Sequence, residues 1–193
     1  EQESVNLTRA PLTAGEQLRV VATTSIVHDV VRNVGGERIE LTLLIPLGAD
    51  PHTFIPRPQD MAAVSEADVL FANGAGLEEF LEPLLESAGA AARAVELSDG
   101  IELLEVTDSD AGVESRLGGD DHQHGTDPHT WLDPTNVMVW VDTIQRTLSS
   151  LDPANATHYR SNAETYLMQL EALDRWVQDE VARIPEANRK LVT

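Results

Sequence analysis

Two of the six histidines of this chain occupy matching surroundings. His52 lies in Asp50-Pro51-His52-Thr53-Phe54 and His129 in Asp127-Pro128-His129-Thr130-Trp131, two copies of Asp-Pro-His-Thr-aromatic. In each, proline stiffens the backbone before the histidine and a carboxylate sits two residues upstream, so an imidazole is presented at a fixed angle. Imidazole is the side chain best suited to a borderline divalent cation where thiolates are absent, and the chain contains no cysteine. A carboxylate or carbonyl that accepts the second ring N–H would set the tautomer, and Asp50 and Asp127 are the candidates for that role. Only neutral imidazole binds metal, so affinity is expected to fall steeply below a pH of about 6.5. The competing interpretation is that both histidines merely cap turns.

Other chemistry is less well supported by the residues. Asp120-Asp121-His122-Gln123-His124-Gly125 sets His-x-His beside two aspartates among glycines, a segment suited to transient metal capture or to plain solvation. His28 begins the first helix and either faces the carboxyl end of the sheet, where α/β folds place ligands, or lies on the helix surface. His158 is expected in solvent. No Gly-x-Ser-x-Gly elbow, His-Glu-x-x-His helix or Gly-x-x-x-x-Gly-Lys phosphate loop is present. Asn73-Gly74-Ala75-Gly76 resembles half of a dinucleotide fingerprint, but Glu79 stands where the third glycine belongs, and two glutamates there would repel pyrophosphate. The segment is expected to be a tight strand-to-helix turn. The chain is not expected to be an enzyme.

Composition narrows the classes further. With 13 Lys+Arg against 33 Asp+Glu, the formal charge of −20 excludes a phosphate-tracking nucleic-acid binder and disfavours an anionic membrane surface. The absence of cysteine excludes a disulfide partner. A body of 193 residues buries roughly 70% of its unfolded surface, so a real core is expected.

The elements that must position the histidines follow from hydrophobic spacing. Residues 1–17 read as a flexible leader. Residues 18–23 form a β-branched run, and Ser25 is a candidate cap for a helix carrying Ile26, Val27, Val30, Val31 and Val34, stopped by Gly35-Gly36. A second strand spans 38–45. Pro46, Gly48, Pro51, Pro56 and Pro58 then impose a long loop around His52. A helix over 59–67, a strand over 69–72, a helix over 77–88 with Pro83 as a kink, and a strand over 95–97 complete an alternation that predicts a parallel sheet with right-handed crossovers. A polar loop over 108–127 leads to His129. Asp133-Pro134 starts a helix striped with Val137, Trp140, Val141, Ile144, Leu148 and Leu151. Asp152-Pro153 starts a second that runs to Ile184, about 45 Å long. Lys190 to Thr193 reads as the opening of another strand.

Taken in order, Val20-Val21-Ala22-Thr23-Thr24-Ser25-Ile26, Val34-Gly35-Gly36, Pro46-Leu47-Gly48-Ala49-Asp50-Pro51-His52, Ser65-Glu66-Ala67-Asp68, Asn73-Gly74-Ala75-Gly76-Leu77-Glu78 and Asp127-Pro128-His129-Thr130-Trp131-Leu132-Asp133-Pro134 resemble the substrate-binding proteins of zinc and manganese ABC importers. The resemblance implies an α/β fold in which a small parallel sheet is sandwiched by helices, one lobe of a bilobed protein, followed by a long backbone helix. It assigns residues 18–152 to the metal-binding lobe, 153–184 to the interdomain helix and 185–193 to the start of a second lobe. The family's first two histidine ligands match His52 and His129. A third, histidine or glutamate, would follow the strand that begins at Lys190, and a fourth, aspartate or water, would come from the second lobe. The implied function is capture of a divalent transition metal outside the cytoplasm, by a lipid-anchored or periplasmic protein, and its delivery to an ABC permease membrane subunit. Zn2+ is favoured over Mn2+ because the acidic loop carrying His122 and His124 resembles the zinc members. A surface adhesion or interaction role is the alternative, and a dimer through the exposed lobe face is a further expectation.

Overall fold

The β-branched runs near the start of the chain pair into a four-stranded parallel sheet. The computed structural model describes residues 7, 12–13, 15–105 and 126–189. Among them the strands are β1 (Leu18–Ala22), β2 (Ile39–Leu43), β3 (Val69–Ala72) and β4 (Ala94–Glu96), in the spatial order β2-β1-β3-β4. β1 is central, with Leu18 beside Ile39 on one flank and Val20 beside Val69 on the other.

Successive side chains of a strand point to opposite faces, and here each face has its own core. Leu18, Val20 and Ala22 join Val69, Phe71 and Val95 under α1 (Ser25–Gly35), α4 (Pro134–Leu151) and the first half of α5 (Ala156–Arg183). Val21, Leu70 and Ala72 meet α2 (Pro58–Glu66) and α3 (Leu81–Ala88) on the other face. The result is the expected α/β sandwich of helices on a parallel sheet, with a long helix after it. Leu7 and Leu12, upstream of β1, also pack against the first core.

Several boundaries differ from expectation for local reasons. The cap of α1 is Thr24, whose hydroxyl accepts from the Val27 amide, and Ser25 is the first helical residue. α3 starts at Leu81 because the chain first turns through Gly74, Ala75 and Gly76, all at positive φ. Pro83 therefore falls in the first helical turn, where its missing N–H is not needed. Pro153 opens a short 3-10 turn, and α5 begins three residues later. The expected strand at 190–193 and the histidines of the acidic loop, His122 and His124, lie outside the described residues.

The corner between α4 and α5 is tied by one carboxylate. Asp152 is buried and accepts from the Asn155 amide, the Asn155 side chain at 2.7 Å and the Tyr159 hydroxyl at 2.8 Å. From this corner α5 runs 28 residues, about 42 Å. Tyr159, Ala163 and Leu170 are buried, but Leu173, Trp176, Val181 and Ile184 are between 42% and 59% exposed, so the apolar stripe continues past the sheet that its first half covers.

Burial, followed by the bond and the charge of Asp152, raises the Tyr159 hydroxyl far above its ordinary range. A raised group contributes stability that is complete below its unfolded value and is lost as pH rises past it. Stability to urea is therefore expected to fall above a pH of about 10. Tyr159→Phe should cost about 1–2 kcal/mol at neutral pH. It should also flatten most of the alkaline fall, leaving the smaller part contributed by Tyr166, which burial and Asp29 raise. An alkaline fall identical in both proteins would contradict this assignment.

Candidate metal centre

Order in a parallel sheet reverses between β1 and β3, and ligands of such folds sit beyond the carboxyl ends of the strands at that point. The His129 segment is anchored there. The His52 segment, in the long loop after β2, comes up beside it, so that the two imidazole ring centres stand 6.0 Å apart, tilted by 59°.

Each histidine is set by its own aspartate. The Asp50 carboxylate accepts from the His52 backbone N–H at 3.0 Å and the Thr53 hydroxyl at 3.3 Å. The Asp127 carboxylate accepts from the His129 backbone N–H at 2.9 Å. These are Asx turns, which Asp-Pro-His-Thr builds from short-range geometry. The copies differ in one respect. Asp127 Oδ1 also lies 2.6 Å from His129 Nδ1, and no corresponding bond joins Asp50 to the His52 ring. With a carboxylate as its partner, Nδ1 is the protonated nitrogen and Nε2 carries the free lone pair. Donation from the His129 backbone and then its ring holds the Asp127 carboxyl below its ordinary value.

Aromatic contacts complete the two segments. Trp131 meets the His129 ring edge-on at 5.1 Å, and Phe54 meets Phe80 edge-on at 5.0 Å, fastening the His52 loop to the start of α3. Both imidazoles remain exposed. An imidazole bonded at about 2.0–2.1 Å holds its ring centre about 3.2 Å from the ion, so two rings on one ion have centres up to about 6.4 Å apart. The observed separation of 6.0 Å falls within that limit. Among the described residues no group of three or more His, Cys, Asp or Glu is arranged to hold a metal.

Residues that spacing did not reveal hold this arrangement from below. The turn after β3 folds back so that Glu78 points inward, where its carboxylate accepts from the Thr23 hydroxyl at 2.6 Å and the amides of Asn73 and Gly74 at 2.9 and 3.1 Å. Burial pushes the Glu78 carboxyl up, and those bonds oppose it. Asn73 donates to the Pro128 carbonyl, Ser98 and Thr130 share a hydroxyl bond of 2.9 Å, and Asn136 donates to the Thr130 carbonyl. The Asn-Gly-Ala-Gly turn is thus a bracket for the His129 segment, and Glu78 is its inner clamp. A sequence signal existed only in part: an asparagine, a glycine turn and two glutamates are visible, but that Glu78 turns inward is not.

The remaining described histidines stand apart. His28 is half-buried on α1, with its basicity lowered by burial and by Arg32. His158 is not free in solvent as expected: it packs beside Tyr159 and lies 3.3 Å from Asn162, which caps the end of α1 through the Val34 carbonyl.

The family described as "Zinc-uptake complex component A periplasmic" matches residues 20–193. The chain belongs to this family. It is a family of extracytoplasmic binding components of metal ABC importers, not of enzymes. The manganese-binding lipoprotein MntA of Halalkalibacterium halodurans is 42% identical over 92% of this chain and 54% of its own length. The manganese ABC transporter substrate-binding lipoprotein PsaA of Streptococcus pneumoniae is 33% identical over 94% of this chain and 57% of its own. A crystal structure of a zinc-bound ZnuA deletion mutant superposes with a TM-score of 0.75 at 29% identity, over 88% of this chain and 60% of that one. The chain spans about half the length of the curated relatives it matches. Both Asp-Pro-His segments lie inside the stretch that the family covers.

The difference between the two copies is testable without metal. Long-range 15N spectra above neutral pH should show His129 protonated at Nδ1, and Asp127→Asn should weaken that preference while leaving the His52 ring signals in place. A His129 ring protonated mainly at Nε2 in the unsubstituted chain would refute the assigned bond.

Proposed function

We propose that this chain carries the metal-capturing lobe of an importer's binding component, with His52 and His129 as ligands of the transported divalent cation. The observation that carries this is the convergence of two matching Asp-Pro-His segments on one point, ring centres 6.0 Å apart. Residues 18–152 make the capturing lobe and α5 the rigid connector. Nothing is turned over. The ion leaves water, exchanges hydration for imidazole nitrogen and is passed to a membrane permease. Protonation of either ring competes directly with the ion, so acid favours release.

Two identities for the ion have support. MntA and PsaA are named for manganese, which favours manganese as the biological cargo over the zinc that the acidic loop suggests. Zinc is the second reading, carried by the family's description and by the zinc-bound structural relative. Ligand chemistry alone does not choose the cargo: nitrogen donors bind zinc more tightly than manganese whatever the cell supplies, following the general order of divalent affinities. This chain is accordingly expected to bind zinc at least tenfold more tightly than manganese in vitro.

Titration of zinc against a chromophoric chelator checks the ligands. His52→Ala and His129→Ala should each weaken binding by more than tenfold, and an unchanged value for either removes that residue from the site. The cargo is read differently, from the metal content of the protein isolated from its own cells grown with both ions. Zinc in excess there would overturn the manganese assignment.

A further inference from the structure

We infer that Asn73 is a positioning residue for His129, acting through the Pro128 carbonyl while touching no metal itself. The inference rests on the proposed role of His129 as a ligand. Asn73 is fully buried, directly after β3. Its side-chain nitrogen donates to the Gly74 carbonyl at 2.8 Å and to the Pro128 carbonyl at 3.0 Å. Both partners are acceptors only, so the amide can stand in one orientation: nitrogen toward the carbonyls, oxygen away. That orientation leaves Asn73 Oδ1 buried with no partner among the described residues. An unpaired buried acceptor destabilises a fold and calls for a reason. The bond to Pro128 supplies one, since neither aspartate nor leucine, which match asparagine in size, can donate to a carbonyl.

The donor is itself held rigidly. Glu78 grips the backbone amides of Asn73 and Gly74 with its two carboxylate oxygens and ties them to Thr23 at the end of β1. A chain of bonds therefore runs from the central strand through Glu78 and Asn73 to the residue before His129. On the far side of His129, Thr130 is fastened by Ser98 and Asn136. The His129 backbone is thus clamped at both neighbours by residues remote in sequence. His52 has its own Asx turn and the Phe54–Phe80 contact. Of the two rings, His129 is the one whose position the sheet dictates.

Zinc titration of the 193-residue chain and three variants tests this: Asn73→Asp, His129→Ala and the double variant. Asn73→Asp should weaken binding about tenfold in the unsubstituted background and cause no further loss once His129 is alanine, the pattern of residues that act through one another. In the apo protein it should shift or broaden the His129 ring resonances and leave those of His52 unmoved. An equal loss in both backgrounds, or a folded Asn73→Asp protein with unchanged affinity, overturns the inference. If His129→Ala itself binds zinc like the unsubstituted chain, the ligand assignment has failed instead. The ring spectra then decide positioning: a His129 shift upholds it and an unmoved ring overturns it. Should Asn73→Asp not fold, hydrogen exchange of the Asn73 side-chain amide in the unsubstituted chain is the measure. Slow exchange is expected, and exchange as fast as that of an exposed asparagine overturns the proposal.

Discussion

A single buried carboxylate organises the carboxyl edge of the sheet. Removing Glu78 from water is unfavourable unless its charge is met by donors, and three converge on it, from Thr23 after β1 and from Asn73 and Gly74 after β3. It thereby bridges the two strands between which the sheet order reverses. The same bonds hold a backbone that has little intrinsic preference for its shape. Gly74, Ala75 and Gly76 are all at positive φ, and for Ala75, at 54°, that conformation costs roughly 1–2 kcal/mol. Glycine on either side keeps the strain to one residue. Space is tight as well, for a Cβ at Gly74 would come within 2.8 Å of the Glu96 side chain.

From that bracket follows the unequal treatment of two segments that look alike. Both Asp-Pro-His turns form from local bonds, but only His129 is also tied to the sheet and has a ring nitrogen engaged by its aspartate. A donor already oriented before an ion arrives loses little freedom on binding, whereas one held by a surface turn is ordered at that step. If both serve as ligands, the pair combines a fixed point with an adjustable one.

Beyond Trp131, an open groove of about 500 Å³ runs between α1, the 131–134 segment and α5, lined by Ile26, Trp131, Leu132, Tyr166 and Leu173 among others. It continues the apolar side of α5 past the region that the sheet covers. His52 and His129 come together beyond the carboxyl end of the sheet, in a chain whose curated relatives are nearly twice as long. The charge of −20 raises the local concentration of any divalent cation modestly, within a screening length of about 8–10 Å.

The sequence by itself determined the class of fold, the alternation of strand and helix, and the two histidines worth examining. Period, β-branching, proline and glycine act over a few residues, so they are legible without knowledge of the rest. Asp133-Pro134 starts a helix wherever it is placed, and Asp-Pro-His folds its aspartate onto its own amide. Only the tertiary structure decided that the two turns meet, that Asp127 alone engages its ring, and that Glu78 points inward as a clamp. Those outcomes depend on sheet order and on bonds between residues remote in the chain, such as Asn73 with Pro128 and Ser98 with Thr130. The stripe on α5 makes the same point in reverse. Its spacing declares an apolar face from Tyr159 to Ile184, but the sheet ends near Leu170, and spacing carries no record of where a partner surface stops.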